Sequence, residues 1–185
     1  MRYAALFLAL MLAACGRSDF HMTDISGAMP RLDLHMTRAS DGGAVSGETY
    51  RGKVVVLYFG YTNCPDVCPA TLANLAAMLQ RLNSKDVQVL FVTVDPNRDT
   101  AQLLDQYAKA FSPQIEGLRG TDNQLADLAR RYRVAYSVDA KPPYTVMHSN
   151  AVFFFDRSGR IRLVTTDTSD PAVMADDVTR LLRKQ

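Results

Sequence analysis

The chain has no apolar run long enough to cross a bilayer. Its longest, Ala4 to Ala14, is 11 residues, where a spanning helix needs about 20. It also lacks an excess of either charge: 21 Lys and Arg stand against 19 Asp and Glu, for a net +2. That balance argues against a nucleic-acid footprint or a polybasic membrane patch. Cysteine and histidine are scarce, at 3 residues each, which rules out a disulfide-stapled scaffold. Internal repeats and low-complexity tracts are missing too.

The apolar run has the length of a signal-peptide core, with Arg2 as a short positive n-region. It closes on Leu12-Ala13-Ala14-Cys15. Small residues before a cysteine at this place resemble a bacterial lipobox, which implies cleavage before Cys15 and lipidation of its thiol. The plainer alternative is an ordinary signal peptide with a chance cysteine. A multiply acylated Cys15 would hold the exported protein on a membrane, facing the periplasm or the extracytoplasmic side, where one chain would be marginal. The expected organisation is a signal peptide over 1–14, a lipidated cysteine and polar tether over 15–30, and one domain over 31–185. That length supports a sizeable core. Cys64 and Cys68 are then the remaining thiols. An exported compartment permits disulfides, but a bridge across three intervening residues closes too small a loop to stabilise a fold. The pair therefore reads as functional.

The domain opens with alternation over 31–38, a turn at Asp41-Gly42-Gly43 and a second arm over 44–50, a small β-hairpin. Lys53 to Phe59 is continuously apolar and β-branched, as a strand buried on both faces should be. Leu72, Leu75, Leu79 and Leu82 then recur at helical spacing, with Pro69 suited to a first helical position. Val87 to Val94 predicts a second buried strand. Asn97 or Asp99 is placed to cap a helix carrying Leu103, Leu104, Tyr107 and Phe111. Thr121-Asp122-Asn123-Gln124 is a capping box before Leu125, Leu128 and Tyr132. Lys141-Pro142-Pro143-Tyr144 makes a rigid turn. Ala151 to Phe155 and Ile161 to Val164 make a hairpin, and Asp170-Pro171 starts a last helix with Met174, Val178 and Leu181. Hairpin, β, α, β, α, α, β, β, α predicts an α/β, thioredoxin-like fold: a central mixed β-sheet flanked by helices, with an N-terminal β-hairpin extension.

Cys64 and Cys68 fall where a buried strand ends and a helix begins. If Cys68 is the N-cap before Pro69, its sulfur faces the unpaired N–H groups of the first turn. Those groups and the macrodipole favour the thiolate, the nucleophilic and metal-binding form. Two sulfurs at i and i+4 can converge on one ion or close a disulfide. Cα atoms so spaced are about 6 Å apart in a helix, and bridges accept about 4.4–6.8 Å. The thiols alone leave both chemistries open. His21 falls in the tether and His35 on the early hairpin, but His148 directly precedes the apolar strand at 151–155. In a thioredoxin-like fold that loop packs against the cysteine loop. Two thiolates and an imidazole make a three-coordinate soft site suited to Cu(I), and related sets hold Cu(II). Structural zinc wants four ligands, with Asp66 as a candidate fourth. A lone histidine is more often half-buried and bonded to backbone. Its place in a chain with this cysteine pair reverses that preference.

The segment from Gly60 through Cys64-Pro65-Asp66-Val67-Cys68-Pro69 to Leu72 resembles the signature of the Sco/SenC family. Arg51-Gly52-Lys53, Val94-Asp95-Pro96-Asn97-Arg98-Asp99-Thr100 and His148-Ser149 match further motifs, so the resemblance covers about residues 31 to 184. It implies a thioredoxin-like copper-binding domain with copper, as Cu(I) and/or Cu(II), on Cys64, Cys68 and His148. The implied partner is the copper A subunit of cytochrome c oxidase, which receives copper or has its cysteines kept reduced. Another periplasmic copper chaperone or a thiol reductant would act upstream. The competing readings are a thiol–disulfide oxidoreductase, with Cys64 and Cys68 as a catalytic disulfide pair, and a copper or redox sensor. The three-residue spacing and His148 favour copper. A peroxiredoxin-like peroxidase does not fit, because Thr62 stands two residues before Cys64 rather than three.

Two positions depart from the family pattern. Met147 stands where aspartate is usual, either filling a packing gap or offering a soft thioether contact. Asn63 stands where histidine or another large residue is common. Asp95 and Asp99 read as turn and cap residues, and Asp66 as a turn former. Tyr58, Phe59 and Tyr61 are placed to wall the site, while His21-Met22 and His35-Met36 offer a weak auxiliary copper site or, on the better reading, are chance pairs.

Overall fold

The structure, a computed structural model, describes residues 20–183. The expected signal peptide and Cys15 lie outside the described residues. In chain order the elements are β1 (Thr23–Asp24), β2 (His35–Arg38), β3 (Ala44–Ser46), a 3₁₀ turn (Gly47–Tyr50), β4 (Val54–Gly60), α1 (Val67–Leu82), β5 (Val87–Thr93), α2 (Ala101–Phe111), β6 (Ile115–Arg119), α3 (Asp122–Arg131), β7 (Tyr136–Asp139), β8 (Thr145–His148), β9 (Val152–Phe155), β10 (Ile161–Thr165) and α4 (Pro171–Arg183).

Every residue of β4 is buried, as its unbroken apolar sequence requires. β4, β5 and β6 pair in parallel, and β9 joins the other side of β4 antiparallel. The eight-stranded sheet runs β1-β10-β9-β4-β5-β6-β2-β3, and β7-β8 form a separate two-stranded sheet. Side chains alternate between faces. Tyr58 and Phe91 are partners across β4 and β5 and stack at 6.0 Å, with Tyr107 of α2 on Phe91 at 5.9 Å. α1 packs against α2 and α4, and α4 against β4. The opposite face carries Phe153 and Phe155, which take Tyr132 at the end of α3 at 5.9 and 5.5 Å. The architecture is a thioredoxin-like α/β fold with a mixed sheet between helices.

The N-terminal hairpin forms as β2-β3 and joins the sheet through β6. The capping box of α3 closes both ways, Gln124 N–H to Thr121 Oγ1 at 3.3 Å and Thr121 N–H to Gln124 Oε1 at 2.8 Å. The cap of α2 is Thr100, not Asn97 or Asp99, and it accepts from the Leu103 N–H. β6 was not among the expected strands. It is short, with Gly117 inside it, and a Cβ there would lie 2.7 Å from Leu104 Cγ. The glycine that dilutes the strand pattern is what lets α2 approach.

The expected tether over 15–30 is docked where it is described. β1 pairs with β10, and Met22 is buried. The buried Asp177 carboxylate accepts the His21 N–H at 2.9 Å and the Met22 N–H at 2.7 Å. A buried carboxylate needs donors, and these amides supply them, so the folded unit starts before residue 31.

Candidate metal centre

The site forms where β4 ends. A Cβ on Gly60 would lie 2.7 Å from Phe91 Cε2 and 2.8 Å from Cys68 Sγ, so the missing side chain makes room for the sulfur. α1 starts at Val67, with Asp66 as an N-cap whose side chain makes no cap bond. Cys68 is therefore the second helical residue, not the N-cap. The cap acceptor is Cys64 Sγ, which takes the Cys68 N–H at 3.3 Å.

This exchange of roles divides the two thiols. Burial pushes the half-buried Cys64 thiol up, but hydrogen bonds from the Cys68 N–H, the Asp66 N–H and Tyr61 help to outweigh it and bring it below the ordinary value. Burial pushes the Cys68 thiol up to about 12, against a smaller downward pull from the Tyr61 N–H. Among the described residues both cysteines are free thiols.

His148 ends β8, paired with Tyr136 of β7. The base of this hairpin closes on Ser149, which donates N–H to Ala135 O at 2.9 Å and accepts the Ala135 N–H on Oγ at 3.0 Å. The imidazole stands edge-on to Tyr58 at 6.2 Å and Tyr61 at 5.8 Å. Its Nδ1 lies 2.9 Å from the Ser149 carbonyl. A carbonyl only accepts, so Nδ1 carries the proton and Nε2 presents its lone pair. Nε2 faces Cys68 Sγ at 3.3 Å, as acceptor of the thiol proton. Burial lowers the His148 pKa, against the bond to Ser149, so the ring is neutral at neutral pH. The two sulfurs and an imidazole nitrogen all lie within 4.8 Å of one another. Two thiols and an oriented imidazole form a donor set that fits a soft ion.

The loop after β5 holds both halves of the site. Buried Asp99 accepts the Thr62 N–H at 3.1 Å, the Thr62 hydroxyl at 2.6 Å and the Thr93 hydroxyl at 2.5 Å. Buried Asp95 accepts from Arg98 Nε and, at 2.7 Å, from the Tyr144 hydroxyl of the β7-β8 connection. The Arg98 guanidinium lies 3.8 Å over the Tyr144 ring. The two aspartates are thus neither cap nor simple turn residues. Thr62, Tyr144 and Ser149 are position-setting residues that no spacing rule singles out.

Other expected residues sort plainly. His21 pairs with Asp176 at 3.0 Å and His35 is exposed near Asp33, so neither joins the thiols. Met22 and Met36 are buried in the core, which separates the His-Met dipeptides from any shared site. Asp66 is exposed and absent from the donor cluster; it contributes its N–H to Cys64 instead. Asn63 is exposed. Met147 is 72% exposed, which excludes a packing role. Tyr58, Phe59 and Tyr61 are buried, with Tyr58 and Tyr61 on the imidazole. A cleft of about 470 Å³ exposes Cys64 and His148 between Val67 and Met147. A cleft of about 500 Å³ elsewhere, beside Asp33 and Arg131, contains no thiol. No helix among the described residues is long and apolar enough to cross a membrane.

Fold and site together define a thioredoxin-like protein with a Cys-x₃-Cys pair and a distant histidine gathered into one soft-donor cluster. The SCO1/SenC family model matches residues 36–183, and the chain belongs to that family. It is 35% identical over 183 residues to the mitochondrial SCO2 homolog of Bos taurus, covering 95% of this chain and 62% of that protein. The chain thus spans less than two thirds of that relative's length. The copper-bound crystal structure of Arabidopsis thaliana ScoI superposes with a TM-score of 0.75 at 33% identity, over 83% of this chain and 98% of that one. The apo Sco1 solution structure from Thermus thermophilus gives 0.77 at 31% identity, over 90% and 100%.

Proposed function

We propose that this protein binds copper through Cys64, Cys68 and His148 and serves cytochrome c oxidase assembly as a membrane-tethered metallochaperone for the copper A centre. The observation that carries the reading is the convergence of two sulfurs and a tautomer-fixed imidazole within 4.8 Å. The copper-bound structure of its Arabidopsis relative supports the choice of metal. Cys64 borders an open cleft, so an acceptor thiolate can enter before a resident ligand leaves. The Leu12-Ala13-Ala14-Cys15 run supports a lipid anchor on the extracytoplasmic side. Titrating the reduced protein with Cu(I), and with Cu(II) while following the thiolate-to-copper charge-transfer band, tests the ligand set. His148→Ala should weaken binding and shift the band; unchanged affinity and spectrum would refute the three-ligand site.

The asymmetry of the thiols favours a second reading, reduction of an acceptor disulfide. The partly exposed Cys64 thiolate would attack that disulfide and release one acceptor thiolate. Cys68, losing its proton, would then displace the second, leaving a Cys64–Cys68 disulfide and a dithiol acceptor. Cys68→Ser should trap the mixed disulfide if this reaction occurs. A strong trap with weak copper binding would favour this reading over copper transfer.

A further inference from the structure

We propose that the Asp95–Tyr144 hydrogen bond, with Arg98 stacked on the Tyr144 ring, is a latch that holds the β7-β8 hairpin so that His148 faces Cys68. Asp95, Arg98 and Tyr144 are thereby positioning residues. The consequence for metal binding rests on His148 being a ligand, as proposed above.

The hairpin needs such an anchor. It is a two-stranded sheet outside the main one, with half its residues exposed and with Tyr136 and Val146 only partly buried against the core. Isolated hairpins are marginally stable in water. Ser149 closes the hairpin on itself through Ala135 and gives no purchase on the body of the protein. The Tyr144 hydroxyl bonds Asp95 Oδ1 at 2.7 Å, while Arg98 holds Oδ2 and lies 3.8 Å over the Tyr144 ring. The same guanidinium lies 5.9 Å from the Tyr61 ring, which itself touches His148. Asp95 is wholly buried, so loss of the phenol leaves a desolvated carboxylate oxygen one donor short. Four residues on from Asp95, Asp99 grips Thr62 in the cysteine loop. One loop therefore registers thiols and imidazole against each other, and its two arms can be cut separately.

The test is amide hydrogen exchange on the metal-free, reduced protein. Tyr144→Phe keeps the ring and removes the hydroxyl. Exchange over β7 and β8 should speed up by about tenfold or more, with Thr62 and Cys64 amides unchanged. Asp95→Ala, which removes the acceptor, should do the same, and the double variant should add little to either single change. In protein titrated with Cu(II), the charge-transfer band of Tyr144→Phe should move toward that of His148→Ala. Wild-type exchange in the hairpin of Tyr144→Phe, or acceleration spread evenly over the chain, would overturn the latch. An unchanged band in His148→Ala would instead overturn the ligand reading, and the metal-free exchange would still decide the latch.

Discussion

Cys64 Sγ accepts the backbone N–H of Cys68 at 3.3 Å, so one cysteine caps the helix on which the other rides. The unpaired amides of a helix start favour negative charge, and here they favour it on Cys64. Cys68, turned inward beside Gly60, loses solvent instead. The two thiols of one short motif thus differ in acidity, because one caps the start of α1 and the other is buried beneath it.

Alkylation should expose that difference. In metal-free protein, iodoacetamide should modify Cys64 first, with a rate that rises with pH through a midpoint below that of an ordinary thiol. Cys68, buried and with its thiol pushed up to about 12, should react far more slowly than Cys64 throughout. Peptide mapping after timed quenching reads both. Equal modification of the two would contradict the assigned cap.

Proton release on metal binding follows from the same values. Between the Cys64 midpoint and pH about 12, only Cys68 still carries a thiol proton, and His148 is neutral. About one proton should leave per ion bound in that range, and about two below the Cys64 midpoint while His148 stays neutral. Apparent affinity should rise with pH accordingly. Calorimetry in buffers of different ionisation enthalpy measures the count.

Acid should destabilise the metal-free protein through His148. Its folded pKa is lowered by burial, so the unfolded chain binds more protons as pH falls, and stability rises with pH. The contribution is present above the unfolded imidazole pKa and is lost as pH falls toward the folded one. Thermal midpoints across that window should fall in the wild type and flatten in His148→Ala.

Gly60→Ala should cost about 1–3 kcal/mol, the usual penalty of overpacking. The new methyl would meet the Phe91 ring at 2.7 Å and Cys68 Sγ at 2.8 Å. Urea denaturation gives the stability, and the charge-transfer band reports whether the sulfur has been displaced. A neutral stability change with an unaltered band would mean that the strand end has slack which the packing does not show.

Asp99→Ala should destabilise the protein by about 3 kcal/mol, because three donors in or beside the cysteine loop lose their acceptor. Iodoacetamide modification of Cys64 should change with it, while hairpin exchange over β7-β8 stays near wild type. Loss of order in both segments would show that the two arms of the loop are not independent.

The sequence by itself determined the frame. An unbroken β-branched run made β4 central, leucines at helical spacing made α1, and Asp170-Pro171 marked the start of α4; each is a local pattern with one physical solution. It also put Cys64, Cys68 and His148 forward, because thiols so spaced and so few histidines leave little choice. β6, β7 and β8 were not legible: short strands containing glycine or half exposed have no period of their own and exist through their partners. Only the tertiary structure decided which thiol caps α1, since a shift of the helix start from Pro69 to Val67 is small in sequence but moves the free amides onto Cys64. It alone gave His148 its tautomer through the Ser149 carbonyl and brought its Nε2 to Cys68, 80 residues away. Such contacts depend on how separate elements pack, and nothing local in the chain encodes them.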